Sequence, residues 1–224
     1  MLTQEQFEAL ARQGYNRIPV SRTVMADLDT PLSTYLKLAN GPDSYLLESV
    51  QGGEKWGRYS IIGLPSKTRL VVTGHRVAIE HEGWPDESVE VEDPLAAVES
   101  FLSRYRVPAI EGLPRFSGGL VGYFGYDTVR YIEPRLSPRS ADKALDTPDI
   151  YLMLSEEVII FDNLSGRLIL IHHADPSAPA AFEQAQRRLD RLEEQLRSPL
   201  PEHNLHVAEG NPADEQDFQS GFGR

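Results

Sequence analysis

An α+β fold, with mostly antiparallel strands in a two-layer sheet or sandwich arrangement and helices packed outside, is what this 224-residue sequence predicts. Three observations carry it. Short apolar runs recur through the chain, several with period-two alternation, and Gly- or Asp-bearing turns join them into hairpins. Four segments show helix-start signals or 3.6-residue apolar periodicity, and they lie on either side of the strand-rich blocks. A hydrophobic share of 40% and a charged share of 25% are ordinary for a globular protein able to bury a proper core.

The first helix starts at Thr3, where Thr3-Gln4-Glu5-Gln6 is a capping box, and Phe7, Leu10 and Ala11 make its apolar stripe up to Gly14. Ile18-Pro19-Val20 reads as extended chain. Thr30 caps a second helix with Pro31 in its first turn, and Leu32, Tyr35, Leu36 and Ala39 are assigned to its inner face. Asp27 and Asp29 belong to that helix entry rather than to a catalytic pair. Tyr45 to Leu47 is a short apolar run that reads as a buried strand, answered after Gln51-Gly52-Gly53-Glu54 by Tyr59 to Ile62. Thr68 to Thr73 and Arg76 to His81 flank Gly74-His75, and Ser88 to Glu92 repeats the alternation with Val89 and Val91 inward. Asp93-Pro94 opens a third helix, with Leu95, Val98, Phe101, Leu102 and Tyr105 assigned to its buried side.

Arg115 to Glu133 is an aromatic and aliphatic stretch punctuated by Gly118, Gly119, Gly122 and Gly125. It has neither a Gly-Lys-Ser/Thr ending nor a GxGxxG between strand and helix, so it is not a phosphate loop. Glycines inside a strand mark bulges or close backbone approach, here for tight packing of another element. Asp127 and Arg130 are placed to pair across a turn. Ser137 to Pro148 is a polar loop. Asp149 to Leu154, Glu157 to Phe161 and Arg167 to His173 are strands, the last two forming a hairpin whose apolar face holds Ile159, Phe161, Leu168 and Leu170. His172 and His173 are adjacent in a strand, point to opposite faces and cannot share a metal. His75 and His81 read as surface residues. Ala180 to Arg197 is an amphipathic helix with Phe182, Ala185, Leu189, Leu192 and Leu196 on one side. From Ser198 the chain turns into an acidic linker rich in Pro and Gly.

Composition excludes several function classes. The net charge of −12 argues against nucleic acid, whose recognition rests on cationic patches. No apolar run approaches the roughly 20 residues of a membrane span. The first residues, Met1 to Gln6, lack the cationic and apolar regions of a signal peptide. With no cysteine there are no disulfides or thiolate metal sites, in keeping with a cytoplasmic location.

The stretch with most chemistry is Tyr45-Leu46-Leu47-Glu48-Ser49 and its return run Lys55-Trp56-Gly57-Arg58-Tyr59-Ser60-Ile61-Ile62-Gly63. A strand end bearing a carboxylate and a hydroxyl faces a strand led by two cations. Such a set offers groups for both the ammonium and the carboxylate of a free amino acid. On spacing alone, the same residues also fit an ordinary hairpin with surface charges.

Leu46-Leu47-Glu48-Ser49, Gly53 to Gly63, and Phe116-Ser117-Gly118-Gly119-Leu120-Val121-Gly122-Tyr123-Phe124-Gly125-Tyr126-Asp127 together resemble the N-terminal half of anthranilate synthase component I. The resemblance runs from Tyr15 to Phe218. It implies a regulatory domain over 1–198, then over 199–224 a linker and the start of a chorismate-binding catalytic domain that the chain lacks. It further implies a pocket for the feedback inhibitor L-tryptophan at Glu48 and Ser49, with Leu47 beside them and Arg58, Tyr59 and Ser60 completing the site. The parent activity implied is a lyase reaction that converts chorismate and ammonia into anthranilate and pyruvate in tryptophan biosynthesis. Its Mg²⁺ and catalytic residues would lie in the missing domain, so none is assigned to this chain, and the fragment alone should be inactive. The implied partners are a glutamine amidotransferase subunit, component II, and a second heterodimer, giving a heterotetramer. Two alternatives stand beside this reading: the large subunit of aminodeoxychorismate synthase, whose relatives resemble the same fold, and a non-catalytic amino-acid-binding module.

Overall fold

The computed structural model describes residues 2–51, 55–83, 86–136 and 147–201. In chain order its elements are α1 (Gln4–Arg12), β1 (Ile18–Met25), α2 (Pro31–Leu38), β2 (Tyr45–Gln51), β3 (Lys55–Gly63), β4 (Thr68–Thr73), β5 (Arg76–His81) and β6 (Glu87–Glu90). Then come α3 (Pro94–Ser103), β7 (Gly119–Phe124), β8 (Ile150–Ser155), β9 (Glu157–Asp162), β10 (Arg167–Ala174) and α4 (Ala181–Leu196), with a 3-10 turn over Tyr126–Tyr131 after β7. The strands form two five-stranded antiparallel sheets: sheet I in the order β1-β10-β9-β3-β2, and sheet II in the order β6-β5-β4-β8-β7. The α+β arrangement with helices outside the sheets is therefore the one observed.

Local signals place the helices. Thr3 accepts from the Gln6 amide while the Gln6 side chain accepts from the Thr3 amide, and Thr30 and Ser33 repeat the reciprocal pattern. Asp93 caps α3 through the amides of Leu95 and Ala96. Asp29, placed at the helix entry by the sequence, accepts from Ser33 Oγ and pairs with Lys37 at 2.8 Å. Lys37 also donates to the Leu196 carbonyl, so α2 meets α4 through its last turns. That explains one departure from the sequence reading: Leu32, in the first turn, is 55% exposed, and Thr34 is the fully buried residue of α2.

Sheet I is covered on both faces. Ile18, Val20, Ile62, Ile159, Phe161, Leu168 and Leu170 face α1, α2 and α4. Val158, Ile160 and Ile171 pack with Leu113 and Phe116 of the 107–118 connection on the other side. Burial on both faces is why β9 reads as a continuous apolar run rather than an alternating one. Sheet II buries Leu70, Val72, Val77, Ile79, Ile150 and Leu152 against Val98 and Phe101 of α3. Three expected core residues stand at its limits or those of sheet I. Val89 sits on the outermost strand β6, opposite Val77 but beyond the cover of α3, and is 58% exposed. Leu102 points off the last turn of α3 and is exposed, while Tyr105 follows the helix rather than belonging to it. Leu47 lies on the edge strand β2 and is also exposed, so Tyr45 to Leu47 is not a fully buried strand.

The glycine-rich stretch is a strand only over Gly119–Phe124. A Cβ at Gly122 would lie 1.9 Å from the Tyr151 carbonyl oxygen, so the close approach is to the neighbouring strand itself. At Gly118 a Cβ would lie 2.6 Å from His173 Nε2, where the two sheets meet. Asp127 and Arg130 pair at 3.0 Å, as their spacing predicts. The polar loop residues 137–146 and the linker residues 202–224 lie outside the described residues.

The chain passes from sheet II to sheet I at Ser155-Glu156-Glu157, and each of these residues is held by a different element. Tyr45 Oη lies 2.8 Å from Ser155 Oγ, Arg17 Nε donates to Glu156 Oε1 at 2.7 Å, and Arg188 of α4 donates to both Glu157 oxygens at 2.6 and 2.7 Å. His172 Nδ1 adds a contact to Glu157 at 2.9 Å. Burial would raise the Glu157 carboxyl, but the hydrogen bonds from Arg188 and His172 outweigh it and hold its pKa at about 2.

Two measurements test this packing. Gly122→Ala is expected to lower stability by roughly 1–3 kcal/mol, because the obstructing atom is backbone that cannot rotate away; a wild-type urea midpoint would contradict it. Glu157 has a depressed folded pKa, so its contribution is complete above the usual carboxylate range and is lost as pH falls towards 2. Glu157→Gln should therefore be destabilised at pH 7, with a shallower loss of thermal midpoint than the unsubstituted chain as pH drops from 5 to 2.

Candidate functional site

The residues singled out by the sequence sit on the β2–β3 ribbon at the edge of sheet I. Its register pairs Tyr45 with Gly63, Leu46 with Ile62, Leu47 with Ile61 and Glu48 with Ser60. At Gly63 an added Cβ would fall 1.9 Å from the Tyr45 ring, so glycine is what lets that ring lie across the strand. Beyond Glu48 the register shifts: β2 advances to Val50 while β3 has already gone back to Trp56. The extra residues in β3 form an irregularity around Gly57-Arg58-Tyr59, of the kind that re-aims side chains at a sheet edge.

Strand alternation divides the six predicted residues between two faces. Glu48 and Ser60 share the face of Leu46 and Ile62, towards the helices; Leu47 shares the opposite face with Ile61, where Tyr59 also packs. Ser60 is buried and accepts from Asn163 Nδ2 at 3.3 Å. Glu48 is exposed and, among the described residues, has no hydrogen-bond or ion-pair partner. Its carboxylate stands beside a buried hydroxyl. The side chains of Ser49, Lys55 and Trp56 lie outside what the structure describes.

Arg58 is committed elsewhere. Its Nη2 donates to Asp162 Oδ2 at 3.1 Å, and its guanidinium stacks 4.8 Å from the centre of the Tyr59 ring. Asp162 also accepts from the amides of Leu164 and Ser165, closing the β9–β10 turn as an Asx motif. Burial would raise the Asp162 carboxyl, but Arg58 and these turn donors hold it below the usual carboxylate range. Asn163 completes the junction by donating to the Gly57 carbonyl at 3.0 Å.

A second group of polar residues was not assigned to a site from the sequence. Arg17 bridges Glu156 at 2.7 Å and Asp175 at 3.0 Å, beside a cleft of about 430 Å³ walled by the 107–119 connection. Burial pushes the His173 imidazole down, and its neutral Nε2–H donates to the Ser117 carbonyl at 2.7 Å. His172 instead meets Glu157, so the two adjacent histidines do face opposite ways. Their partners are more than a dozen residues distant in sequence, and no local pattern signals them. Among the described residues no three His, Cys, Asp or Glu side chains are grouped to hold a metal. No helix of the described residues is long and apolar enough to cross a membrane.

The model of chorismate binding enzymes matches residues 49–224. The match takes in most of the region that the sequence reading assigned to a regulatory domain. Along its whole length the chain is 56% identical to anthranilate synthase component 1 of Pseudomonas putida and covers 45% of that protein. It is 54% identical to the Pseudomonas aeruginosa protein of the same name, again over 100% of this chain and 45% of that one. The chain spans about half the length of these relatives. Among solved structures, anthranilate synthase component I from Streptococcus pneumoniae superposes with a TM-score of 0.53 at 23% identity, over 80% of this chain and 37% of that one, a likeness of fold.

The Arg58–Asp162 junction gives a direct test. Asp162→Ala removes the acceptor for two turn amides and a guanidinium, and should cost about 1–3 kcal/mol in urea unfolding. Arg58→Ala, which strips only an exposed partner, should shift the midpoint much less. The reverse order would mean that the cation, not the turn amides, sets the role of Asp162.

Proposed function

Because the chain belongs to the family of chorismate binding enzymes, we propose that it is the amino-acid-sensing part of an anthranilate synthase component I. The observation that carries this reading is the identity of more than half of all residues, end to end, with proteins of that name. That name also favours it over aminodeoxychorismate synthase. In this reading the whole protein converts chorismate and ammonia into anthranilate and pyruvate in the cytoplasm. Ammonia comes from a glutamine amidotransferase subunit, and two such pairs assemble as a heterotetramer. Residues 1–198 form the regulatory domain, and the catalytic groups and Mg²⁺ belong to the remaining length of the relatives. The described residues do not fit a Mg²⁺ site, and no step is assigned through it.

L-tryptophan is the ligand proposed for the end of the β2–β3 ribbon. Glu48, exposed and without a partner among the described residues, takes the ammonium, and Ser49 follows it in the strand. Ser60 lies opposite Glu48 on the same face, while Leu47 and Tyr59 stand on the other, so the ligand would wrap the free edge of β2 to reach their apolar surface. Arg58 shapes the rim through Asp162 and Tyr59 rather than presenting a free cation. Inhibition then requires only that the ligand bind one arrangement of the whole protein better than another, with a coupling of roughly 1–3 kcal/mol.

Calorimetric titration with L-tryptophan, with L-phenylalanine as the control, tests the site in this chain and in the longer protein. Selective binding to both would place the sensor within these residues, and binding only to the longer protein would make it a shared pocket. Ser49→Phe and Glu48→Gln in the longer protein are expected to weaken inhibition of anthranilate formation, read by product fluorescence, by at least about fivefold. Unchanged inhibition in both variants would remove the site from this ribbon, and no anthranilate formation from the longer protein would remove the activity.

A further inference from the structure

At the other end of β3 from the ribbon's turn, α4 and the β3–β4 connection enclose a cleft of about 630 Å³. Its charges do not balance. Of the carboxylates in its walls, Glu156 is taken by Arg17 at 2.7 Å, and Glu157 by Arg188 and His172. Glu82 remains, against Lys67, Arg187 and Arg191. None of these three cations has a hydrogen-bonding or ion-pairing side-chain partner among the described residues.

That excess is unusual in a chain of net charge −12. Helix α4 contains four acids, Glu183, Asp190, Glu193 and Glu194, and none of them lines the cleft. Two of them, Asp190 and Glu193, are turned to Arg22 instead. The cleft wall receives Arg187 and Arg191, one helical turn apart, where like charges repel and weaken the helix. Lys67 faces them from the β3–β4 connection. Planar guanidinium forks match carboxylate and phosphate oxygens, and an ammonium adds a point charge.

We infer that this cleft binds a small multivalent oxyanion, a di- or tricarboxylate or a phosphate, clasped by Arg187 and Arg191 from α4 and by Lys67 from the opposite wall. Multivalency is required because a single exposed charge pair is weak in water. The site is separate from the β2–β3 ribbon, and its occupation does not depend on the amino-acid reading of that ribbon.

Calorimetry of the full chain with citrate, succinate, inorganic phosphate and acetate, at ionic strength held constant with sodium chloride, tests it. Saturable one-to-one binding is expected for at least one multivalent anion, and the one that binds identifies the ligand's chemistry. Arg187→Gln/Arg191→Gln should weaken that binding at least about tenfold, and Lys67→Met severalfold, with thermal midpoints not lowered because all three side chains are exposed. Arg12→Gln/Arg135→Gln makes the same change of charge away from the cleft and should leave binding as it was. Three results would each overturn the inference: no saturation with any multivalent anion, acetate binding as tightly, or equal weakening in the two double variants.

Discussion

The structure depends on how three consecutive residues are held where the chain leaves sheet II for sheet I. Ser155 is fixed by the Tyr45 hydroxyl, Glu156 by the Arg17 guanidinium and Glu157 by Arg188. The backbone there is bonded as well, with the His173 amide donating to the Glu156 carbonyl and the Leu64 amide to the Glu157 carbonyl. A half-buried carboxylate left alone would be driven towards its neutral form. Here each has a cation, and the geometry of that pairing sets where α4, β1 and the sheet junction must lie.

Sheet I can be apolar on both faces because this junction brings cover to each. Helices α1, α2 and α4 close one side, and the 107–118 connection closes the other. The connection stays in place through Ser117, whose carbonyl accepts from the buried, neutral His173. Gly118 allows that approach, since any side chain would collide with the imidazole. The face of sheet II away from α3 carries Arg69 and Tyr151 joined through Asp43.

The two candidate sites use opposite electrostatic logic. At the ribbon, the cation Arg58 is neutralised by Asp162 and the carboxylate Glu48 has no partner among the described residues, which suits a cationic group on a ligand. In the α4 cleft, two carboxylates are neutralised and three cations have no side-chain partner among the described residues, which suits an anion. Both arise at the margins of sheet I, where side chains are held by the core at their base but remain open to solvent at their tips.

Much was legible in the sequence because it is local. Capping boxes at Thr3 and Thr30, the Asp93-Pro94 helix start, the amphipathic stripe of α4 and the hairpin turns at Gly74 and Asp162 all act over a few residues, and the structure follows them. The ribbon motif was legible too, as a residue set and a resemblance. What the sequence could not fix was exposure at the margins: Leu32, Leu47, Val89 and Leu102 have core chemistry, yet stand exposed. Nor could it put Glu48 on the same face as Ser60, since that follows from register. The pairing of Arg17 with Glu156 and of Arg188 with Glu157, and the unbalanced cations of the α4 cleft, were decided by tertiary structure alone. Propensity and periodicity are properties of neighbours in sequence, whereas burial and charge balance belong to neighbours in space.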